Sequence, residues 1–130
     1  MTTASNACPC GAGATYLECC RPLHQQQRLA TTAEELMRSR YSAYALRLDD
    51  HVFHTWHPRT RPVDVTTSPA LRWQGLDVVA TRDGGCDDDR GTVEFVARWV
   101  ADGQKGVMHE RSRFEKRAGR WFYVDGDDVS

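Results

Sequence analysis

The stretch Thr92 to Asp125, TVEFVARWVADGQKGVMHERSRFEKRAGRWFYVD, decides the fold. Its period is two: Val93, Phe95, Ala97 and Trp99 alternate with Glu94, Val96, Arg98 and Val100. On a strand these two sets face opposite sides of a sheet. Asp102-Gly103 and Ala118-Gly119 interrupt the pattern, and two-residue breaks ending in glycine predict tight hairpins. Strands over Thr92–Ala101, Lys105–Arg117 and Arg120–Asp125 then form an antiparallel meander. Gly75–Arg82 adds a strand ahead of it, with Leu76, Val78 and Ala80 set against Asp77, Val79 and Thr81.

Upstream the period lengthens. Leu36, Met37, Tyr41, Tyr44, Ala45 and Leu48 recur at steps of three and four, an apolar stripe on a helix over residues 33–47. Thr31 and Thr32 stand before Glu34 and Glu35 at capping-box spacing. Asp49 or Asp50 caps a shorter helix through Val52, Phe53 and Trp56, which Pro58 stops. Pro58, Pro62 and Pro69 mark an extended crossing, and Ser68-Pro69 opens a helical turn that sends Leu71 and Trp73 inward. Residues 21–31, rich in glutamine, read as a connector or a frayed helical turn. Helices followed by a meander predict an α+β fold, a curved antiparallel sheet with helices against one face.

Ahead of this lies CPCGAGATYLECC, Cys8 to Cys20, which holds four of the five cysteines. A disulfide within Cys8-Pro9-Cys10 or between Cys19 and Cys20 is badly strained, because bridged Cα atoms sit roughly 4.4–6.8 Å apart with fixed torsions. Two bonds between the pairs are geometrically allowed and suit an oxidising compartment, but no signal peptide precedes them. The spacing is not Cys-x-x-Cys, which weighs against a redox pair. Two close thiolate pairs across a glycine-containing loop suit a tetrahedral metal, and soft sulfur ligands favour zinc. Four thiolates leave no open position, so such a site is structural. His24 competes with Cys20 for the fourth place; the thiolate, adjoining Cys19, is the better ligand. The fifth cysteine, Cys86, lies beside Asp87, Asp88 and Asp89 and reads as a loop thiol.

The Cys8–Cys20 run resembles the SEC-C motif, the zinc-binding element named for the C-terminal tail of the SecA translocation ATPase. Its pattern, Cys-x-Cys, eight residues, then Cys followed by Cys or His, maps onto Cys8, Cys10, Cys19 and Cys20. Ala14-Thr15 stands where that motif often carries basic or hydroxyl residues. The resemblance continues through Met37–Ala45, Thr55-Trp56-His57-Pro58, Glu110–Phe114 and Trp121–Gly126, which look like the YchJ family of small bacterial proteins. It implies a SEC-C zinc knuckle over residues 1–24 and a nuclear-transport-factor-2-like domain over residues 25–130, a cone with helices in the concavity of a bent sheet. It brings no agreed activity. In SecA the similar motif contacts a chaperone, so the resemblance implies docking of a protein partner or the ribosome. Relatives of the cone fold bind small molecules or dimerise, and a homodimer is among the expectations.

A chain of 130 residues with 40% hydrophobic and 27% charged residues suits one compact domain plus a metal knuckle. A net charge of −1 gives no global basic field for nucleic acid, although Arg111, Arg113, Lys116, Arg117 and Arg120 make a local basic hairpin. No apolar run approaches the roughly 20 residues that span a bilayer, and the absence of targeting signals points to the cytoplasm. No nucleophile elbow, phosphate loop or His-Glu-x-x-His run is present. If the cone holds a pocket, Tyr41, His57, Trp73 and Glu110 are its candidates. Glu110, beside Ser112 on an apolar face, is either a buried ion pair with Arg38 or Arg40 or a pocket acid. His51, His54 and His57 recur every three residues; as helix-end histidines they are mostly solvated, with a pocket role open to the last two. Trp56, Trp73, Trp99 and Trp121 read as core.

Overall fold

The computed structural model describes residues 7–129; residues 1–6, the start of the expected knuckle range, lie outside the described residues. Three helices precede four strands: α1 (Arg21–His24), α2 (Ala33–Leu46), α3 (Asp49–His54), β1 (Arg72–Asp83), β2 (Arg90–Ala101), β3 (Gln104–Arg117) and β4 (Arg120–Asp128). The strands pair antiparallel in the order β1-β2-β3-β4. This is the α+β meander that the alternation predicts. Both later hairpins turn on left-handed backbone, with φ of 51° and 77° at Asp102-Gly103 and 49° and 80° at Ala118-Gly119.

Two elements differ from the periodicity reading. Ser68-Pro69 opens no helix; Trp73 already lies in β1, opposite Trp99. Register shifts at Trp73/Gly75 and Val78/Ala80 break the alternation there, which hides the strand's start from a period-two count. Within residues 21–31 the helical-turn alternative is the one formed, as α1, with Pro22 in its first turn. β4 runs past Asp125 to Asp128, where Arg113 on β3 pairs with Asp125 and Asp127.

Helix α2 lies across the concave face and is buried on more than one side. At its start the Thr32 hydroxyl accepts the Glu35 N–H (3.0 Å) and the Glu35 carboxylate accepts the Thr31 N–H (2.7 Å). That reciprocal pair satisfies donors that the first helical turn leaves free. Arg47, at φ 60°, ends the helix in left-handed backbone. Leu36, Met37 and Tyr41 pack with Leu76, Val93, Phe95, Ala97, Phe114 and Trp121 from the sheet, and Cys8, Cys10 and Cys20 belong to the same apolar cluster. Residues 7–24 and the sheet thus share one core. At the open edge of the sheet, His57 N–H donates to the Tyr123 carbonyl (2.7 Å) and Tyr123 N–H to the Thr55 carbonyl (2.8 Å). These bonds pin the end of α3 beside β4 and bring Trp56 against Tyr123.

Candidate metal centre and cone cavity

The Sγ atoms of Cys8, Cys10, Cys19 and Cys20 lie within 4.8 Å of one another. Cys10 and Cys19 are 3.5 Å apart, and Cys19 and Cys20 are 3.9 Å apart. Sulfurs placed tetrahedrally on bonds of about 2.3 Å to zinc are separated by about 3.8 Å. Donor type and spacing therefore fit a metal site with four sulfur ligands. All five cysteines are free thiols, so the two cross-pair disulfides weighed above are not formed.

Local backbone bonds set the cluster. Cys8 N–H donates to the Ala14 carbonyl (3.0 Å), and Gly11, at φ 77°, donates to the Cys8 carbonyl (3.1 Å). A side chain at Gly11 would be strained in that conformation. Cys19 N–H donates to the Thr15 carbonyl (2.9 Å), and Cys20 leads into α1, its carbonyl accepting the His24 N–H (2.9 Å). From α2, Arg38 Nη1 donates to the Cys10 carbonyl (2.8 Å) while its Nε holds Glu34 (3.0 Å).

Electrostatics point the same way. Without a cation, hydrogen bonds from Cys10 and Cys20 push the Cys8 thiol pKa far down. The Cys20 thiol is pushed up by its bonds to Cys10 and Cys8, and Cys19 by burial and then by its bond to Cys10. Such a cluster carries one thiolate comfortably but not several. A divalent cation removes that conflict by balancing the accumulated charge.

His24 is not among the clustered donors. Its Nε2 donates to the Ser39 carbonyl (2.8 Å), which leaves Nδ1 to accept the Tyr16 hydroxyl (2.8 Å). Burial lowers its pKa and keeps the ring neutral. Both nitrogens are engaged in tying the knuckle to α2. Behind it, the Ser39 hydroxyl donates to the Leu36 carbonyl (2.7 Å) and accepts His51 Nε2–H (3.0 Å). Burial, then the neighbouring His24, lowers the His51 pKa to about 3. His51 is therefore a neutral buttress, and only His54 of the expected solvated set is exposed.

On the other side of α2 the sheet's concavity encloses a cavity of about 330 Å³. Tyr41, Trp73 and Glu110 line it, as do Arg40, Trp56 and Tyr123. His57 does not. It is 4% exposed on the side of β4 that carries Phe122, accepts the Arg59 N–H at Nδ1 (3.0 Å) and sits 3.7 Å from Glu115. The bond from His57 N–H to Tyr123 turns its ring away from the cone.

Glu110 pairs with neither expected arginine. Its Oε2 accepts the Ser112 hydroxyl (2.5 Å) and the Tyr123 hydroxyl (3.3 Å). Gly126, opposite Ser112, leaves the room: a Cβ there would collide with the carboxylate. Burial and then the Glu110 charge raise the Tyr123 phenol pKa, so it remains a donor at neutral pH. Arg40, 6% exposed, donates through Nη1 to the Val52 carbonyl (2.9 Å) and the Thr55 hydroxyl (2.7 Å). Its guanidinium stacks 4.6 Å from the Tyr123 ring centre and 5.2 Å from that of Trp56. Arg40, one of the two candidates for a buried pair with Glu110, is buried but bonded to the end of α3 instead.

Two of the five basic residues of the hairpin, Arg111 and Arg113, are held in ion pairs. Arg113 binds Asp125 and Asp127, Arg111 binds Glu94, and Lys116 reaches the Cys86 carbonyl. Among the described residues no helix is long and apolar enough to cross a membrane.

The family model described as YchJ, middle NTF2-like domain, matches residues 32–126. A UPF0225 protein of Ralstonia nicotianae is 49% identical over 93% of this chain and 90% of its own length. One from Streptomyces coelicolor is 44% identical over 92% of this chain and 94% of its own. The solution structure of a SEC-C motif containing protein from Rhodopseudomonas palustris superposes with a TM-score of 0.85 at 39% identity, over 95% of this chain and 98% of that one. The crystal structure of another SEC-C motif containing protein, from Psychrobacter arcticus, gives 0.77 at 26% identity, over 95% and 82%. With its cysteine cluster ahead of a helix-filled, bent antiparallel sheet, the chain belongs to the YchJ (UPF0225) family of NTF2-like proteins with an N-terminal SEC-C motif.

Proposed function

We propose that this protein is a zinc-stabilised, non-catalytic docking module whose knuckle meets a protein partner. The observation that carries the reading is the closed sulfur set beneath an exposed loop. Cys8, Cys10 and Cys20 are buried, while the loop between the ligand pairs presents Thr15, Leu17 and Glu18, with Leu17 62% exposed. A closed four-thiolate centre offers substrate no open position but holds its loop rigid, which lowers the entropy lost on binding. The SEC-C likeness to a SecA tail that contacts a chaperone supports a protein partner. Because the ligands share a core with α2, a cysteine variant disturbs fold and surface together. Leu17→Asp is the cleaner test. It should retain one zinc per chain by native mass spectrometry and reduce partner capture at least about tenfold, the factor carried by about 1.4 kcal/mol. Equal capture by Leu17→Asp and wild type would overturn docking through the knuckle.

A second reading, small-molecule binding in the cone, is favoured by the 330 Å³ cavity. That size falls within the usual range for ligand sites.

A further inference from the structure

Two polar groups beside the cone cavity lack partners. The Trp56 indole Nε1 is buried and makes no hydrogen bond among the described residues. Arg40 uses only Nη1 in hydrogen bonds, leaving its Nε–Nη2 edge without an acceptor among the described residues. No described carboxylate lies within salt-bridge distance of Arg40, although the residue is 6% exposed. The Tyr123 and Trp56 ring centres lie 4.6 and 5.2 Å from the Arg40 guanidinium carbon and 5.2 Å from each other, so both rings pack on one side of the group. What remains is one planar edge with parallel N–H donors, the shape that binds a carboxylate through two bonds. Glu110 lines the same cavity but makes no direct ion pair with Arg40, and a buried cation with no carboxylate in contact is unfavourable, as is an unpaired buried indole N–H. One acceptor of negative charge satisfies both.

The remaining walls describe the rest of the ligand. Tyr41 and Trp73 stand edge to face 5.8 Å apart, and Phe95, Ala97 and Met108 complete an apolar surface for a flat body. Glu110, already engaged by Ser112 and Tyr123, supplies the other charge in the cavity and disfavours an anion at its own end. We propose, building on the cone reading, that the cavity binds a small organic carboxylate with a flat apolar body. The carboxylate sits on the free edge of Arg40 and the Trp56 indole N–H.

Matched probes test this on the zinc-loaded full chain at neutral pH. Phenylacetate and indole-3-acetate are compared with phenethylamine and tryptamine, which keep the ring and reverse the charge. The readout is the Trp56 indole N–H and Arg40 Nε–H signals in ¹H–¹⁵N spectra. The acids should shift both signals saturably, with at least about tenfold tighter binding than the amines, a difference of about 1.4 kcal/mol. Trp56→Phe, which keeps a ring and removes the donor, should weaken the acids severalfold, and Glu110→Gln should leave them as tight or tighter. Arg40→Met should abolish binding while the amide spectrum stays folded; if that variant unfolds, Trp56→Phe and the charge-reversed pairs decide. Tighter binding of the amines would overturn the anion assignment and leave the cone reading standing. No shift with any probe would overturn both.

Discussion

Helix α2 separates two polar interiors that are completed to different degrees. On the knuckle side, Tyr16, His24, Ser39 and His51 form a chain in which each ring nitrogen named and each hydroxyl has a partner. On the cone side, Arg40 keeps an unused edge and Trp56 an unused donor. Both regions are equally a part of the fold, and both draw on neighbouring residues of the same helix. Buried polar groups are normally satisfied, so a closed network belongs to the scaffold and an open one marks where something else binds. On the knuckle side the closed network is the scaffold beneath the loop proposed to dock a partner, and on the cone side the open one is where the proposed carboxylate would sit.

The strongest blow to this comparison would be a knuckle that can be removed without consequence. Cys8, Cys10 and Cys20 pack in the same cluster as Leu36, Met37 and Leu76. Chelation, or Cys10→Ser, should therefore destabilise the cone as well as the loop. The expected fall in Tm exceeds about 10 °C, which at roughly 3–4 °C per kcal/mol for a chain of this size means a loss of about 3 kcal/mol. Differential scanning calorimetry with and without metal measures it. An unchanged Tm would make the knuckle an appendage.

A smaller effect separates buttress from ligand. His24→Phe keeps the ring and strands the Tyr16 hydroxyl and part of the acceptor capacity at Ser39. Leaving such groups unpaired should reduce stability by about 2 kcal/mol in denaturant unfolding. Zinc should remain at one per chain, since four sulfurs suffice. Loss of the metal from this variant would promote His24 to a ligand.

Acid should probe the same network. The His51 pKa falls to about 3 in the folded protein, against about 6.5 when unfolded. The unfolded chain then binds more protons between these values. The stability contributed by neutral His51 is complete above about pH 6.5 and is lost progressively as pH falls toward 3. The slope approaches about 1.4 kcal/mol per pH unit for one proton. His51→Asn should flatten the wild-type slope between about pH 6 and 5 by about that amount, as measured by urea midpoints. Identical slopes would mean that His51 is not buried and neutral.

Much of this was legible in the chain. The apolar steps from Leu36 to Tyr44 and the alternation from Val93 to Trp99 place α2 and β2 because their burial is one-sided along a regular element. The four-cysteine cluster was legible because metal chemistry needs few residue types at close spacing. What failed to show depends on partners distant in sequence. The last residues of β4 are acidic and make poor strand formers alone, yet Arg113 on β3 holds them. The partners of Glu110 are its strand neighbour Ser112 and Tyr123 across the hairpin, and the choice against Arg40 follows from the pull of Val52 and Thr55 at the end of α3. His57 leaves the cone through a backbone bond to Tyr123 that no side-chain pattern encodes.

The smallest expected effect sharpens the contrast between committed and uncommitted sulfur. Cys86 is the exposed thiol, in the β1–β2 connection where its carbonyl receives Lys116 Nζ (2.8 Å). Its side chain takes no part in the cluster. In zinc-loaded protein a thiol reagent should therefore modify one site per chain quickly, and Cys86→Ser should abolish that fast phase. Zinc content should not change, and stability should move by less than about 0.5 kcal/mol, as for an exposed position without special contacts. Cys19 is the sensitive control, because it is the one cluster sulfur on a partly exposed residue. Labelling of Cys19 at the rate of Cys86 with metal present would show the fourth sulfur to be uncoordinated. The knuckle would then be an open site, and the closed sulfur set that carries the docking reading would fall.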